Sequence, residues 1–396
     1  MYYDNLVYDS ATIAYLLQTF GPTRLMLGSD YPFAIMDPDP VGRLATLALA
    51  GLGGRGMRAD LLHSMPAVAG SRAPVGVVIG DPCGVGPEVV AKAWASGRLH
   101  AVCRPVLIGS AASMRQAIRI AGSTASVRVV AGPEDILDRS DVLDIIDSGA
   151  LAPADITPGV DNAACGRAVA TWLDESDHLA RAGRLGATVM GPISAEAMSM
   201  AGVLDRVINV KPGESYLLLA SGPLRVAHLT DHLPLREVAG LITAELIARA
   251  LHQLDAALRQ WGIGQPRIAV AGFNPHAKGL EDETQIKPGV AQARAEGIDV
   301  VGPVSPDTVF RQGIEGRYDL VLAMYHDQGH IAIKTWGFSG NIALVVGPPY
   351  VHVTVAHGTA YDIVGRGVAD PSMVLNAILT AASLAAGRGF ASLACA

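Results

Sequence analysis

Leu320-Val321-Leu322-Ala323-Met324-Tyr325-His326-Asp327-Gln328-Gly329-His330 is the stretch from which the rest of the chain can be read. Five apolar residues without a charge predict a buried strand. The run stops at a phenol, two imidazoles, a carboxylate and an amide within six residues. In an open α/β sheet, ligands sit just beyond the carboxyl ends of the strands, which is where this polar cluster falls. A strand ending in an ordinary polar loop is the plainer reading, and the density of site-capable side chains argues against it.

Working outward, strand-like runs alternate with helix-length segments. Strands are predicted at Val75–Ile79, Pro105–Gly109, Val127–Val130, Thr188–Met190, Leu224–Leu229 and Arg267–Ala271. Helices are predicted at Val89–Ala95, Ala111–Ala121, Cys165–Ala182, Arg236–Trp261 and about Gly289–Glu296. This alternation predicts an α/β fold with a mostly parallel sheet. The first strand runs into Gly80-Asp81-Pro82-Cys83-Gly84-Val85-Gly86-Pro87-Glu88, a glycine-rich turn that lets a ligand approach the backbone and a helix N-terminus. Pro82 and Pro87 interrupt it, and no dinucleotide fingerprint fits.

Composition bounds the class. Half of the 396 residues are hydrophobic and 17% are charged, enough for a large core and unlike a disordered chain. A net charge of -7 argues against a nucleic-acid partner, because phosphate affinity needs a basic surface. Cys83, Cys103, Cys165 and Cys395 show no CxxC spacing, which fits a reducing compartment. No apolar run approaches the ~18 residues of a membrane helix, and the N-terminus lacks the pattern of a signal peptide. The expectation is a cytoplasmic protein with no membrane partner.

Three predicted strands end at a histidine: His232 in Thr230-Asp231-His232-Leu233-Pro234-Leu235, His276 in Asn274-Pro275-His276, and His326. Separations of forty-four and fifty residues are too long for a local zinc loop, and they suit strand ends converging on one site. Three imidazoles with one position open form a catalytic metal arrangement. Each histidine taken alone reads as an ordinary core or loop residue; the set reads as a metal site. His63, His100, His178 and His252 look like surface or helix positions, and His228 a structural strand residue.

These strings resemble the 4-hydroxythreonine-4-phosphate dehydrogenase family of vitamin B6 biosynthesis. The resemblance rests on Gly80 to Glu88, Thr230 to Leu235, Asn274-Pro275-His276-Ala277, Asp307-Thr308, Met324 to Gln328 and His357-Gly358-Thr359-Ala360, and it runs from Pro74 to the C-terminus. It implies two α/β/α domains of the isocitrate/isopropylmalate-dehydrogenase type, with the active site in the cleft between them. It further implies a homodimer with the site at the subunit interface, and NAD or NADP bound without a Rossmann fingerprint. The metal held by His232, His276 and His326 would be Zn²⁺, with Mg²⁺, Mn²⁺ or Co²⁺ as alternatives. The implied chemistry is oxidation of a secondary alcohol followed by loss of CO₂. Lys334 and Asn341 match substrate-binding positions, and Asp307 and Asp327 match acidic residues that orient histidines or relay a proton.

The departures fall in the substrate pocket. Glu214-Ser215 stands where the family has a His-Thr pair, Ala195 where it has a lysine, and His352 where it has the arginine at the phosphate end. Losing cations weakens recognition of a dianion. Gly329-His330 and Asp362 to Asp370 are similar to the terephthalate cis-dihydrodiol dehydrogenase subgroup. The first expectation is therefore a non-phosphorylated diol carboxylate, with the phosphorylated substrate as the alternative. A catalytically inactive ligand-binding relative and a hydrolytic metalloenzyme are rivals from other classes. Residues 1–70 read as a separate piece, opening with a helix over Ala11 to Phe20 capped by Asp9-Ser10. Arg24 to Phe33 resembles the C-terminal end of an amidohydrolase-type decarboxylase, with Asp30 at its metal-associated position, and a linker follows from Gly51 to Ser71. One strand and two helices cannot close that family's barrel, so no catalysis is expected there.

Overall fold

The computed structural model describes residues 3–5, 25–27, 72–207, 210–337 and 341–390. The chain divides into two units, Met1–Ala69 and Gly70–Ala396. In the first, β1 (Tyr3–Asn5) and β2 (Leu25–Leu27) pair in parallel, with Tyr3 opposite Leu25. The helix predicted over Ala11 to Phe20, Asp30 and the predicted linker lie outside the described residues.

The second unit begins with β3 (Pro74–Val78), α1 (Gly86–Ala95), β4 (Arg104–Ile108), α2 (Ala111–Ile120), β5 (Ser126–Val129), β6 (Val142–Ile146), α3 (Ala163–Arg181) and β7 (Ala187–Met190). It continues through α4 (Ala195–Met200), α5 (Leu204–Val207), β8 (Tyr216–Ser221), β9 (Leu224–His228), α6 (Leu235–Leu241), α7 (Ala244–Gln260), β10 (Ile268–Ala271), α8 (Lys287–Ala295) and β11 (Val300–Val304). It ends with α9 (Val309–Ile314), β12 (Leu320–Ala323), α10 (His326–Trp336), β13 (Ile342–Val346), β14 (Val351–Val355) and α11 (Ser372–Ala385). The strands form one 12-stranded sheet in the order β11-β10-β12-β9-β8-β13-β14-β7-β3-β4-β6-β5.

All pairs are parallel except β8–β9, β8–β13 and β13–β14. The sheet is therefore mostly parallel, as its alternating elements predict. The two halves expected as separate α/β/α domains are the parallel ends of this one sheet, joined through antiparallel β8 and β13. The β8–β9 hairpin turns on Gly222-Pro223, where Gly222 has φ 54, the left-handed entry such a two-residue turn needs. Every residue of β10 and β12 is buried. That is why their sequences read as unbroken apolar runs rather than alternating ones.

Two expectations change. The predicted helix Arg236–Trp261 is two helices, because Ile242 is extended and Thr243 caps α7, accepting from Leu246 N. Gln285 Oε1 accepts from Ala244 N across the break. In the second unit, strands β6, β8, β11, β13 and β14 are additions to the predicted set. In β6 the mid-run Asp144 hides the pattern; its buried carboxylate accepts from Arg128 Nε at 2.7 Å and Leu137 N at 2.7 Å.

Candidate active site

Backbone and side-chain bonds lock the carboxyl ends of β9, β12 and β10 together. Leu229 N donates to Ala323 O at 2.8 Å, and Thr230 Oγ1 to Met324 O at 2.9 Å. Gln328 spans the other side, accepting from Met324 N at 2.7 Å while its Nε2 donates to Gly272 O at 2.8 Å. Thr230 and Gln328 thus set where the next side chains emerge, His232 after β9 and His326 as the first residue of α10.

One ligand atom from each of Asp231, His232 and His326 lies within 4.8 Å of the other two. His232 Nδ1 is 3.0 Å from Asp231 Oδ2, and His326 Nδ1 is 2.7 Å from Asp327 Oδ1. With Nδ1 held by a carboxylate, each ring offers Nε2 as its free donor atom, the usual support of a metal-bound histidine. Asp231 is 6% exposed and its Oδ1 has no hydrogen-bond partner. A buried bare carboxylate oxygen beside two oriented imidazoles fits a divalent cation of the zinc type. The His326 hydrogen bond holds the Asp327 carboxyl below the usual carboxylate range. A cavity of about 400 Å³ opens beside the set, lined by His232, Leu233, Leu235, Tyr325, His326 and Asp327. That volume suits a small substrate.

The remaining expected residues fall in several places. His276 is exposed, with φ 55, and is not part of the Asp231–His232–His326 set. Lys334 lies two turns beyond His326 on α10, on the same side, close enough to act on His330 and Asp327. Asn341 is buried with Oδ1 unpartnered, at the start of β13. Asp307 is exposed after β11 and accepts from Ser305 Oγ at 2.6 Å. Glu214 is exposed, and Ser215 Oγ accepts from Lys211 N at 3.0 Å, both ahead of β8. His352 is a β14 residue bonded through Nδ1 to Thr188 Oγ1 at 2.7 Å, and burial pushes it down to about 4. It is tied into the sheet rather than placed at a strand end.

The glycine-rich turn builds a second cluster. Asp81, Cys83 and Cys165 lie together, all buried, with the two sulfurs 3.4 Å apart. Tyr361 OH is 2.8 Å from Asp81 Oδ2 and 2.9 Å from Asp161 Oδ1. Val85 N donates to Thr359 O at 2.9 Å, so the turn meets the His357–Ala360 motif directly. Sequence reasoning assigns no role to Asp231, although it stands beside His232 in a quoted string. It also misses the contact between His228 and His330, since nothing local joins residues 102 positions apart.

Residues 101–381 match the family described as "Pyridoxal phosphate biosynthetic protein PdxA". A Novosphingobium aromaticivorans protein named "Putative 4-hydroxythreonine-4-phosphate dehydrogenase" is 57% identical over 319 residues, covering 81% of this chain and 97% of that protein. A D-threonate 4-phosphate dehydrogenase of Cupriavidus necator is 36% identical over 327 residues, covering 79% of this chain and 98% of that protein. Among solved structures, a 4-hydroxythreonine-4-phosphate dehydrogenase from Burkholderia phymatum superposes with TM-score 0.70 at 33% identity, covering 80% of this chain and 99% of that one. A terephthalate 1,2-cis-dihydrodiol dehydrogenase from Burkholderia xenovorans reaches TM-score 0.60 at 30% identity, covering 78% and 98%. The chain is an oxidoreductase of the dehydrogenase class. It belongs to the PdxA family.

Proposed function

We propose that this protein is an NAD-dependent, divalent-metal-dependent dehydrogenase that oxidises a secondary alcohol of a small phosphorylated hydroxy acid to a ketone β to its carboxylate, which is then released as CO₂. The observation that carries the reading is the Asp231–His232–His326 set, with both imidazoles oriented by carboxylates. A divalent ion bound there supplies Lewis acidity for the alcohol and the ketone it becomes. The chain's own residues position the reactants. Asp231 and Asp327 hold His232 and His326 with Nε2 toward the site. Lys334, on the same side of α10 as His326, meets the substrate carboxylate as a cation, and Asn341 offers a buried amide beside β13. NAD, when bound, would supply the hydride acceptor.

The substrate reading moves from the first expectation to its alternative. Two relatives matched over nearly their whole length are named for phosphorylated four-carbon acids, while the terephthalate enzyme superposes less closely than the 4-hydroxythreonine-4-phosphate dehydrogenase from Burkholderia phymatum. The His352 argument also weakens, because that ring is engaged with Thr188 inside the sheet. His276, exposed and outside the set formed within one chain, fits a ligand contributed across the interface of a homodimer. Residues 1–69 take no part in the reaction on this reading.

The test is purified protein with a divalent ion and NAD⁺ or NADP⁺, offered 4-hydroxythreonine 4-phosphate, D-threonate 4-phosphate and the cis-dihydrodiol of terephthalate. Reduced nicotinamide from a phosphorylated acid is the expected result. Reduction with the diol alone would restore the first expectation. No reduction with any of them, alongside tight metal binding, would favour a hydrolytic or ligand-sensing role.

A further inference from the structure

His330 stacks on His326, ring centres 3.6 Å apart and 17° from parallel, yet it is not one of the metal-type donors. Its tautomer follows from a chain of hydrogen bonds with one consistent direction. His228 Nδ1 lies 3.1 Å from the Leu217 carbonyl oxygen. A carbonyl only accepts, so the His228 proton sits on Nδ1 and its Nε2 is bare. His330 Nδ1 lies 3.2 Å from that bare Nε2 and 3.2 Å from His326 O. Both are acceptors, so the His330 proton is on Nδ1 and its own Nε2 is a lone pair. Among the described residues, no group donates to that Nε2.

The arrangement is specific to this pairing of residues. A Cβ at position 329 would meet His228 Nε2 at 2.3 Å, so Gly329 is what lets the two rings touch. His228 is completely buried at the end of β9 and cannot turn to accept from elsewhere. Lys334 stands one turn beyond His330 on α10. Asp327 is committed to His326 Nδ1. An ammonium placed against His330 would therefore lie near the Lys334 cation and the candidate metal set, whereas a hydroxyl finds a fixed neutral acceptor.

We propose that His330 Nε2 accepts a hydrogen bond from a substrate hydroxyl on the carbon next to the alcohol that is oxidised, making this chain selective for vicinal dihydroxy acids over their amino-alcohol counterparts. The proposal rests on the dehydrogenase reading above. D-Threonate 4-phosphate and 4-hydroxythreonine 4-phosphate test it directly, because one carries a hydroxyl and the other an ammonium at that carbon. The wild type has the higher kcat/KM for threonate 4-phosphate. His330→Leu lowers that value by about tenfold, the worth of one neutral hydrogen bond at the strong end of its range. The same change leaves the amino substrate within about twofold. His330→Gln, which keeps an acceptor, recovers most of the loss.

Equal losses on both substrates in His330→Leu, or none on either, would overturn the proposal. Nitrogen NMR of the metal-free protein gives a readout independent of turnover: His330 shows a pyrrole-type Nδ1 and a pyridine-type Nε2. A proton on Nε2 overturns the proposal whatever the kinetics. Failure of the wild type to reduce NAD⁺ with either substrate sinks the dehydrogenase reading and the substrate assignment together, and the nitrogen shifts then still decide the tautomer.

Discussion

Replacing Asp231 by asparagine probes the candidate metal site most sharply, because this carboxylate has two separable tasks. Its Oδ2 sits 3.0 Å from His232 Nδ1, and its Oδ1 is buried without a partner. The side-chain amide introduced by Asp231→Asn keeps the shape and an acceptor for His232, but removes the charge. A charge-assisted hydrogen bond is worth about 1.5–3 kcal/mol, which alone corresponds to roughly a ten- to hundredfold loss of metal affinity. A bare oxygen that also faces the ion raises the loss to the upper end, so about a hundredfold is expected. Asp327→Asn is the control. Asp327 makes the matching contact to His326, yet its side chain is 73% exposed, so water replaces much of what is lost and the cost stays near tenfold or below.

The assay is competition between the protein and a chelator of known affinity for Zn²⁺, followed by calorimetry, with metal content measured on the purified variants. The metal-free Asp231→Asn protein keeps or gains thermal stability, since a buried carboxylate with one oxygen left without a partner is costly. An affinity within threefold of the wild type would refute the assignment of Asp231. So would a larger loss from Asp327→Asn than from Asp231→Asn.

Three further outcomes are expected. The His276→Ala and His326→Ala proteins are each inactive, and co-expression of the two restores about a quarter of wild-type activity if each site draws on two subunits, as proposed above; no recovery in a verified heterodimer would place His276 elsewhere. Removing residues 1–71 leaves dehydrogenase activity intact, and loss of folding on that deletion would show that the first unit supports the second. Stability falls as pH drops from about 6.5 toward 4, because the unfolded chain binds a proton at His228 while burial holds the folded group at about 3. The folded state is thus favoured above the unfolded pKa and loses up to about 1.4 kcal/mol per pH unit below it from this group. Denaturant titrations of His228→Asn across that range should show a shallower slope, and an unchanged slope would mean that His228 already titrates near its ordinary value in the fold.

Much of the parallel architecture is legible along the chain, since a strand buried on both faces has no polar residue to break its pattern. Strands β3, β10 and β12 fall within a residue or two of their predicted places for that reason. Strand β6 is hidden by Asp144, whose ion pair with Arg128 reaches across to the neighbouring strand and has no local signature. The division of Arg236–Trp261 turns on Thr243, an inconspicuous residue inside a helical pattern until its hydroxyl is placed as the cap of α7.

The chemistry available to this protein is written in its side chains: histidines at the ends of strands, a charge-free strand leading to His326, and motif strings that mark the PdxA family. These are local facts, fixed by side-chain type and by the short range of strand and helix periodicity. Which of those groups meet is settled in three dimensions. The fold brings Asp231 to His232 and His326 and leaves His276 outside that set. It also gives His330 a bonded tautomer through a histidine 102 residues away. The pairing of β9 with β12 sets both results, because strand register is a long-range agreement between apolar surfaces and no single segment encodes it. Tyr325-His326-Asp327-Gln328 marks the candidate site in the sequence, and the fold supplies its partners.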